Sequence, residues 1–127
     1  MHKDSSLVAV VDDEESVRKA LGRLLRAAGF NVDTYASGAD FVQSLQRHRP
    51  VCLVLDLRMP DVSGFEIQQA LTRSGHAVPV VIITGDDSPD SRERALIQGA
   101  RAYLRKPVDE TMLLDAIHTA INSSPAP

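Results

Sequence analysis

Val51-Cys-Leu-Val-Leu-Asp56 is a run of five apolar residues that ends in a carboxylate. An apolar run of this length without polar alternation is typical of a parallel strand that helices cover on both faces. Four further apolar runs lie at 7–11, 32–35, 80–83 and 102–104, and longer stretches with helical spacing separate them. This alternation predicts an α/β domain with a five-stranded parallel sheet.

Five helices are expected between and after these strands. The first has the clearest apolar stripe, with Val17, Leu21 and Leu25 on one side. The spacing predicts the other four over 37–48, 63–74, 90–98 and 109–122. Ser37 is expected to cap the second helix and Pro50 to end it.

The composition fits one compact domain in a reducing compartment. The chain has 127 residues, 43% hydrophobic and 24% charged, and its single cysteine, Cys52, has no disulfide partner. A net charge of −3 without a basic stripe argues against direct nucleic-acid binding. The apolar runs are too short to cross a membrane, so we expect a cytoplasmic protein. The expected domain covers 1–122, and the small, Pro-rich residues 123–127 are expected to be a disordered tail or the start of a linker.

Polar residues follow several of the apolar runs. Asp12 and Asp13 come after the first run, Asp56 after the third, Thr84 after the fourth and Lys106 after the fifth. Because the carboxyl ends of parallel strands meet at one edge of a sheet, these side chains are expected to share one crevice. Three carboxylates there would raise one another's pKa unless a cation lay among them, and Mg²⁺, or Mn²⁺ in its place, suits carboxylate oxygens. Taken singly, an aspartate after a strand often caps a helix, and it stays open that Asp13 or Glu14 simply starts the first helix.

Four segments together resemble the receiver domain of two-component response regulators. They are Val10-Val-Asp-Asp-Glu-Glu15, Leu53-Val-Leu-Asp-Leu-Arg-Met-Pro-Asp61 with Gly64, Ile82-Ile-Thr-Gly85 and Leu104-Arg-Lys-Pro107. The likeness extends from about Leu7 to Ile121, and the residues around Asp56 are most similar to those of the FixJ-like subfamily. It implies a doubly wound, flavodoxin-like (βα)5 fold with strand order 2-1-3-4-5.

The resemblance also implies a role for each residue of the crevice. Asp56 is the expected acceptor of a phosphoryl group from a sensor histidine kinase, and Lys106 pairs with the phosphoryl oxygens. Asp13, Asp56 and the backbone carbonyl of Arg58 are the implied metal ligands, while Asp12 acts through a bound water.

Three backbone features are implied around the crevice. The bond between Lys106 and Pro107 is expected to be cis, which re-aims the preceding side chain. Pro60 and Gly64 are expected to shape the loop after Asp56, Pro60 by its fixed φ and Gly64 by a positive φ.

The implied signal is a change in one face of the domain. Phosphorylation adds charge and acceptor oxygens at Asp56, so the Thr84 hydroxyl would move toward it and Tyr103 would swing into the vacated space. The affected face, made by the fourth helix, the fifth strand and the fifth helix, is expected to carry Arg92, Ile97, Arg101, Tyr103 and Arg105. It would control a phosphorylation-dependent homodimer or a C-terminal DNA-binding output domain beyond this chain, in transcriptional regulation.

Two alternatives compete with a signalling switch. A Mg²⁺-dependent phosphatase of the haloacid dehalogenase type also uses an aspartyl nucleophile, but it needs an acid two residues later, where this chain has Arg58. The other alternative is a receiver-like module that binds partners without phosphate, although every expected site residue is present. The leading hypothesis is a signalling domain that catalyses only its own phosphorylation and dephosphorylation, and not an enzyme that acts on other substrates.

Overall fold

The computed structural model describes residues 7–59, 62–75, 77–85 and 88–122, in which five strands alternate with five helices. The strands are β1 (Leu7–Val11), β2 (Asn31–Tyr35), β3 (Cys52–Asp56), β4 (Val80–Thr84) and β5 (Ala102–Arg105). The helices are α1 (Glu15–Ala27), α2 (Gly38–Ser44), α3 (Gly64–Ser74), α4 (Pro89–Ile97) and α5 (Glu110–Asn122). All the expected strands and helices are therefore present. None of these helices is both long enough and apolar enough to cross a membrane.

The five strands form one parallel sheet in the order β2-β1-β3-β4-β5. The register sets Val11 of β1 opposite Leu55 of β3, and Asp56 of β3 opposite Ile83 of β4. The doubly wound, flavodoxin-like order is confirmed. It brings the carboxyl ends of β1, β3, β4 and β5 side by side at one edge of the sheet.

Alternate residues of the central strands pack into two separate hydrophobic cores, one on each face of the sheet. Val8, Val10 and Val54 belong to the core under α1 and α5. Ala9 and Val11 belong to the core under α2, α3 and α4. Every residue of β1, β3 and β4 is buried, which explains why these runs lack polar alternation. The two edge strands, β2 and β5, are only partly buried.

The starts of α1 and α2 differ in their caps. The Ser37 hydroxyl accepts a hydrogen bond from the Asp40 backbone N–H at 3.2 Å, so the expected cap of α2 is confirmed. Glu14 precedes α1 without a side-chain cap of its own. Asp12 Oδ1 instead accepts from the Glu14 N–H at 2.9 Å. Of the two alternatives, Glu14 does stand at the start of α1, although its side chain does not cap the helix, and Asp13 as the start was wrong.

The second helix is shorter than expected. α2 ends at Ser44 and not near His48, so the expected extent was wrong, and Pro50 does not set its end. The Ser44 hydroxyl donates to the Phe41 carbonyl at 2.6 Å, and the chain continues in turns in which Arg47 N–H donates to the Ser44 carbonyl at 2.9 Å. Serine competes for backbone hydrogen bonds in this way and so weakens a helix from within.

Two expectations fall outside the described residues. One concerns Pro60, which was expected to shape the loop after β3. The other concerns the Pro-rich residues 123–127. Both stay predictions.

Candidate functional site

The ends of four strands bring the expected crevice residues to one edge of the sheet. Asp12 directly follows β1, and Lys106 directly follows β5. Asp56 and Thr84 are the last residues of β3 and β4. Asp12, Asp56 and Thr84 are almost fully buried, with at most 2% of each residue exposed, whereas Asp13 is exposed. The sheet therefore holds two carboxylates where little water reaches them.

Lys106 is the cation at the centre of this edge. Its Nζ lies 2.9 Å from Asp12 Oδ2, 2.9 Å from Glu14 Oε1 and 3.7 Å from Asp56 Oδ2. Sequence reasoning missed the contact with Glu14, because nothing distinguishes this residue within the acidic run at 12–15. The peptide bond between Lys106 and Pro107 is cis. The lysine thus joins the end of β5 to the ends of β1 and β3.

The crevice shifts the pKa values of Asp56 and Lys106. Burial raises the pKa of Asp56 from 3.8 to about 6, and the negative charge of Asp12 adds to this rise. The positive charge of Lys106 and the Arg58 backbone N–H, 3.3 Å from Asp56 Oδ1, act on that pKa in the opposite direction. Burial by itself would lower the pKa of Lys106, but its bonds to Glu14 and Asp12 and the nearby carboxylate charges outweigh burial and raise it. Asp56 is therefore a carboxyl that ionises near neutrality beside a charged lysine.

Three carboxylates are close enough to share one cation. One oxygen atom each of Asp12, Asp13 and Asp56 lies within 4.8 Å of the other two. Mg²⁺ binds oxygens at about 2.0–2.1 Å, so ligands on opposite sides of the ion are about 4.2 Å apart. Small side-chain movements, or a water between one carboxylate and the ion, bring these three residues into that range. The donor set therefore fits a hard divalent cation.

The start of α3 packs closely against the backbone that carries Asp56. A Cβ added to Gly64 would lie 2.8 Å from the Asp56 carbonyl oxygen and 2.9 Å from Leu57 Cα. The Gly64 N–H also donates to the Leu57 carbonyl at 3.0 Å. The expected positive φ at Gly64 was wrong, since the positive-φ glycines of the described residues lie elsewhere. Glycine is needed here because two backbone segments approach each other closely.

Three of the expected output residues surround one cavity at the β5 edge. Tyr103 lies opposite Ile82 in the sheet and packs, partly buried, against the core under α2, α3 and α4. The guanidinium carbon of Arg92 lies 6.0 Å from the centroid of the Tyr103 ring. Arg92, Tyr103 and Arg105 line a cavity of about 310 Å³ between α4, β5 and the start of α5. This cavity is one strand away from Thr84 and the crevice.

The other two expected output residues lie on a different surface. Ile97 is 76% exposed and lines a cavity between α3 and α4. Arg101 lines an adjoining cavity beside the end of α3. The structure therefore divides the five expected output residues into two groups, and only Arg92, Tyr103 and Arg105 flank the cavity next to α5.

Comparisons with known proteins give the family context of this geometry. The family profile described as the response regulator receiver domain matches residues 8–118. The response regulator protein TodT of Pseudomonas putida is 33% identical over 125 residues, which cover 98% of this chain and 55% of TodT. The transcriptional regulatory protein FixJ of Rhizobium meliloti is 37% identical over 113 residues, which cover 89% of this chain and 55% of FixJ.

A solved structure agrees with the fold. The crystal structure of FixJ-N superposes with a TM-score of 0.87 at 36% identity, and the match covers 95% of this chain and 97% of that one. The chain spans about half the length of the two curated relatives that it matches.

Proposed function

The chain belongs to the response regulator receiver domain family, and from that premise we propose that it is a phosphorylation-controlled switch whose acceptor is Asp56. Receiver domains are signalling domains of two-component systems, and the proposed donor is a phosphohistidine on a sensor histidine kinase. The observation that carries the proposal is the buried Asp56 carboxylate, 3.7 Å from Lys106 Nζ and clustered with Asp12 and Asp13.

The transfer needs a nucleophilic carboxylate and neutralisation of charge. One Asp56 oxygen attacks phosphorus while the bond from phosphorus to the histidine nitrogen breaks, and the imidazole leaves with that electron pair. Both reactants are anionic, so positioning and charge neutralisation provide most of the catalysis. Lys106 supplies a compact positive charge for the phosphoryl oxygens. Because the pKa of Asp56 is about 6, the carboxyl is mostly ionised above neutral pH.

Asp12, Asp13 and Asp56 are the residues that would hold Mg²⁺ or Mn²⁺, and the backbone carbonyl of Arg58 is a further proposed ligand. The Arg58 backbone N–H donates to Asp56 Oδ1 at 3.3 Å, which keeps this residue beside the carboxylates. When bound there, the ion neutralises negative charge on the phosphoryl oxygens. Lys106 offsets part of the repulsion between Asp12 and Asp56 through its own contacts with both.

The proposed switch is the pair Thr84 and Tyr103. A phosphoryl group on Asp56 adds roughly −1.5 to −2 charges and three acceptor oxygens. Thr84 is buried at the end of the neighbouring strand, and its hydroxyl would donate to one of these oxygens. When Thr84 moves, Tyr103 would change its position too, and Arg92, which contacts the Tyr103 ring, would follow. Phosphate would stabilise an arrangement that the free protein already samples.

The proposed output is homodimerisation through the face formed by α4, β5 and α5, or control of a C-terminal DNA-binding domain. FixJ is a transcriptional regulatory protein by name, and this chain covers only 55% of it, which supports a separate output domain in the longer proteins. With a net charge of −3, the chain itself is proposed to contact protein partners and not nucleic acid.

The phosphatase alternative has little support in the site. Such an enzyme places its general acid two residues after the nucleophile. Arg58 holds that position with an exposed side chain, and arginine does not serve as a general acid because it does not give up its proton in proteins. The early pair Asp12 and Asp13 also lies at the end of β1, next to Asp56. We therefore retain the signalling switch alone.

The test is the intact mass of the chain after incubation with Mg²⁺ and acetyl phosphate. We expect one phosphoryl group that is stable in acid, labile in base and dependent on Mg²⁺. Asp56→Asn should abolish the adduct. Asp115→Asn, which removes an exposed carboxylate of α5, should leave it unchanged.

Two outcomes would contradict the proposal. One is an unmodified chain under conditions where Mg²⁺ binding is demonstrated, and this would favour a module that binds partners without phosphate. The other is an adduct that persists in Asp56→Asn, which would place the acceptor elsewhere.

A further inference from the structure

We propose that a groove between α3 and the end of α4 binds an acidic peptide segment of a partner protein. The groove encloses about 460 Å³ and is lined by Gln68, Gln69, Thr72, Arg73, Ile97 and Gln98. We call it the α3–α4 groove. None of the crevice residues lines it, so the proposal goes beyond the phosphorylation switch and does not depend on it.

Two buried amide oxygens of residues that line the groove accept no hydrogen bond from the described part of the chain. Gln68 is 2% exposed, and its Nε2 donates to the Ala95 carbonyl at 3.1 Å, which fixes the orientation of the amide. The Oε1 atoms of Gln68 and Gln98 are buried and accept no hydrogen bond from any described residue. A buried acceptor without a donor costs about 1–3 kcal/mol. Because both oxygens lie below the surface that solvent reaches, a peptide in the groove would contact other atoms of these side chains, and the two amides would report on its binding.

The charge of the groove is positive. Arg73 lines it and forms no ion pair with the described part of the chain. Arg101 lines an adjoining cavity of about 240 Å³, which shares Gln68 and Gln98 with the groove. Among the described residues, no carboxylate lines either cavity. In a chain with a net charge of −3, such a patch favours an anionic partner.

The rim of the groove is apolar at one point. Ile97 is 76% exposed, and a large apolar side chain beside a concave polar surface is typical of a contact site. A peptide can supply what the surface of the groove offers to bind: a carboxylate for Arg73 and an apolar side chain for Ile97. A free inorganic anion has no apolar group for Ile97, and the single arginine of the groove is not the row of basic residues that a phosphate backbone requires.

The test is an NMR titration of the unphosphorylated 127-residue chain, labelled with ¹⁵N, with two short capped peptides. One is Glu-Leu-Glu-Leu-Glu and the other is Lys-Leu-Lys-Leu-Lys. We expect the acidic peptide to shift the side-chain NH₂ signals of Gln68 and Gln98 and the backbone signals of Thr72 and Ile97 in a saturable way. The basic peptide should leave these signals in place.

Substitutions at the rim identify the contacts without disturbing the core. Arg73→Glu and Ile97→Ser should each weaken binding of the acidic peptide by about fivefold or more. Two exposed positions on other surfaces serve as matched controls, Arg23→Glu on α1 and Val42→Ser on α2, and they should change the affinity by less than about twofold.

Three results would overturn the proposal. Absence of saturable shifts means that the groove holds only water. An equal loss of affinity in Arg23→Glu and Arg73→Glu means that the peptide responds to overall charge. A short oligonucleotide that shifts the same signals as strongly as the acidic peptide means that the groove recognises anions in general. A failure of the phosphorylation switch would leave all of these signals unaffected, so the two proposals fail separately.

Discussion

β3 and β5 both flank β4, yet they are buried to very different extents. All five residues of β3 are buried, whereas all four residues of β5 are partly buried or exposed. β3 ends in Asp56, the proposed acceptor, and β5 carries Tyr103, the proposed responder. A reacting group needs a rigid support, whereas a responding group must move at low free-energy cost. The difference in burial therefore matches the proposed division of labour within one sheet.

The helices beside these strands repeat the contrast. α3 buries the apolar residues Phe65, Ile67 and Leu71 and the polar residue Gln68. α4 buries only Ser91 and Ala95 within its described residues. α4 is thus less firmly anchored than α3, as a helix that changes position on signalling should be.

The largest expected effect compares one leucine from each strand. Leu55 of β3 is fully buried, so Leu55→Ala should lower the free energy of unfolding by about 2–5 kcal/mol. Leu104 of β5 is only partly buried, so Leu104→Ala should cost about 1–2 kcal/mol. Urea denaturation followed by circular dichroism measures both. Equal losses would show that β5 is packed as tightly as β3, against the division proposed here.

The second prediction concerns the pH dependence of stability in the presence of a chelator. The pKa of Asp56 rises from 3.8 to about 6 on folding, so the folded state holds this proton more tightly. The resulting stabilisation is complete below pH 3.8 and is lost as the pH rises through about 6, with a total of up to about 3 kcal/mol.

Asp56→Asn should flatten this part of the pH profile and make the chain more stable than the native one at pH 7. Asp115→Asn, on the exposed surface of α5, serves as the control and should keep the native profile. An unchanged stability profile in Asp56→Asn would mean that folding does not raise the pKa of this carboxyl. Urea midpoints measured across the pH range decide between these outcomes.

The third prediction separates backbone contacts from side-chain contacts at two glycines. In Gly64→Ala the new Cβ meets the backbone of Asp56 and Leu57, so we expect a loss of about 1–3 kcal/mol in thermal unfolding. In Gly38→Ala the nearest atom is Ile67 Cδ1, 2.5 Å away, and the end of this buried side chain can shift more easily than backbone, so the loss should be smaller than in Gly64→Ala. A larger loss in Gly38→Ala would show that the α3 start is not the tightest contact near the crevice.

The buried half of the molecule could be predicted from the sequence for a physical reason. Strands covered on both faces need apolar side chains at every position, so β1, β3 and β4 appear as continuous runs. Polar residues such as Asp56 and Thr84 then stand out where these strands end. The family resemblance supplied the strand order, which periodicity alone does not determine.

The rest depends on contacts that local patterns do not contain. Glu14 meets Lys106 across 92 positions of sequence, and only the fold brings them together. α2 ends where the Ser44 hydroxyl donates to the Phe41 carbonyl, and local patterns do not show which acceptor this hydroxyl uses. Ile97 lies toward α3 and not toward Tyr103. The sequence could not predict this position, because α4 has no apolar stripe that would indicate its orientation.

The smallest expected effect compares two arginines of α4 that each face an aromatic ring. The Arg94 guanidinium lies 4.0 Å from the centroid of the Phe65 ring of α3, whereas Arg92 lies 6.0 Å from that of Tyr103 in β5. Arg94→Gln should lower the free energy of unfolding by about 0.5–1 kcal/mol, and Arg92→Gln by no more than a few tenths, because 6.0 Å is at the limit of a cation–π contact. Urea denaturation of both variants, with Arg23→Gln as the exposed control, provides the measurement. A weak contact at Tyr103 is what a moving edge requires, since the contact must break each time the ring changes position. If Arg92→Gln proves as costly as Arg94→Gln, then α4 is held to β5 as firmly as to α3, and the switch must use some other edge of the sheet.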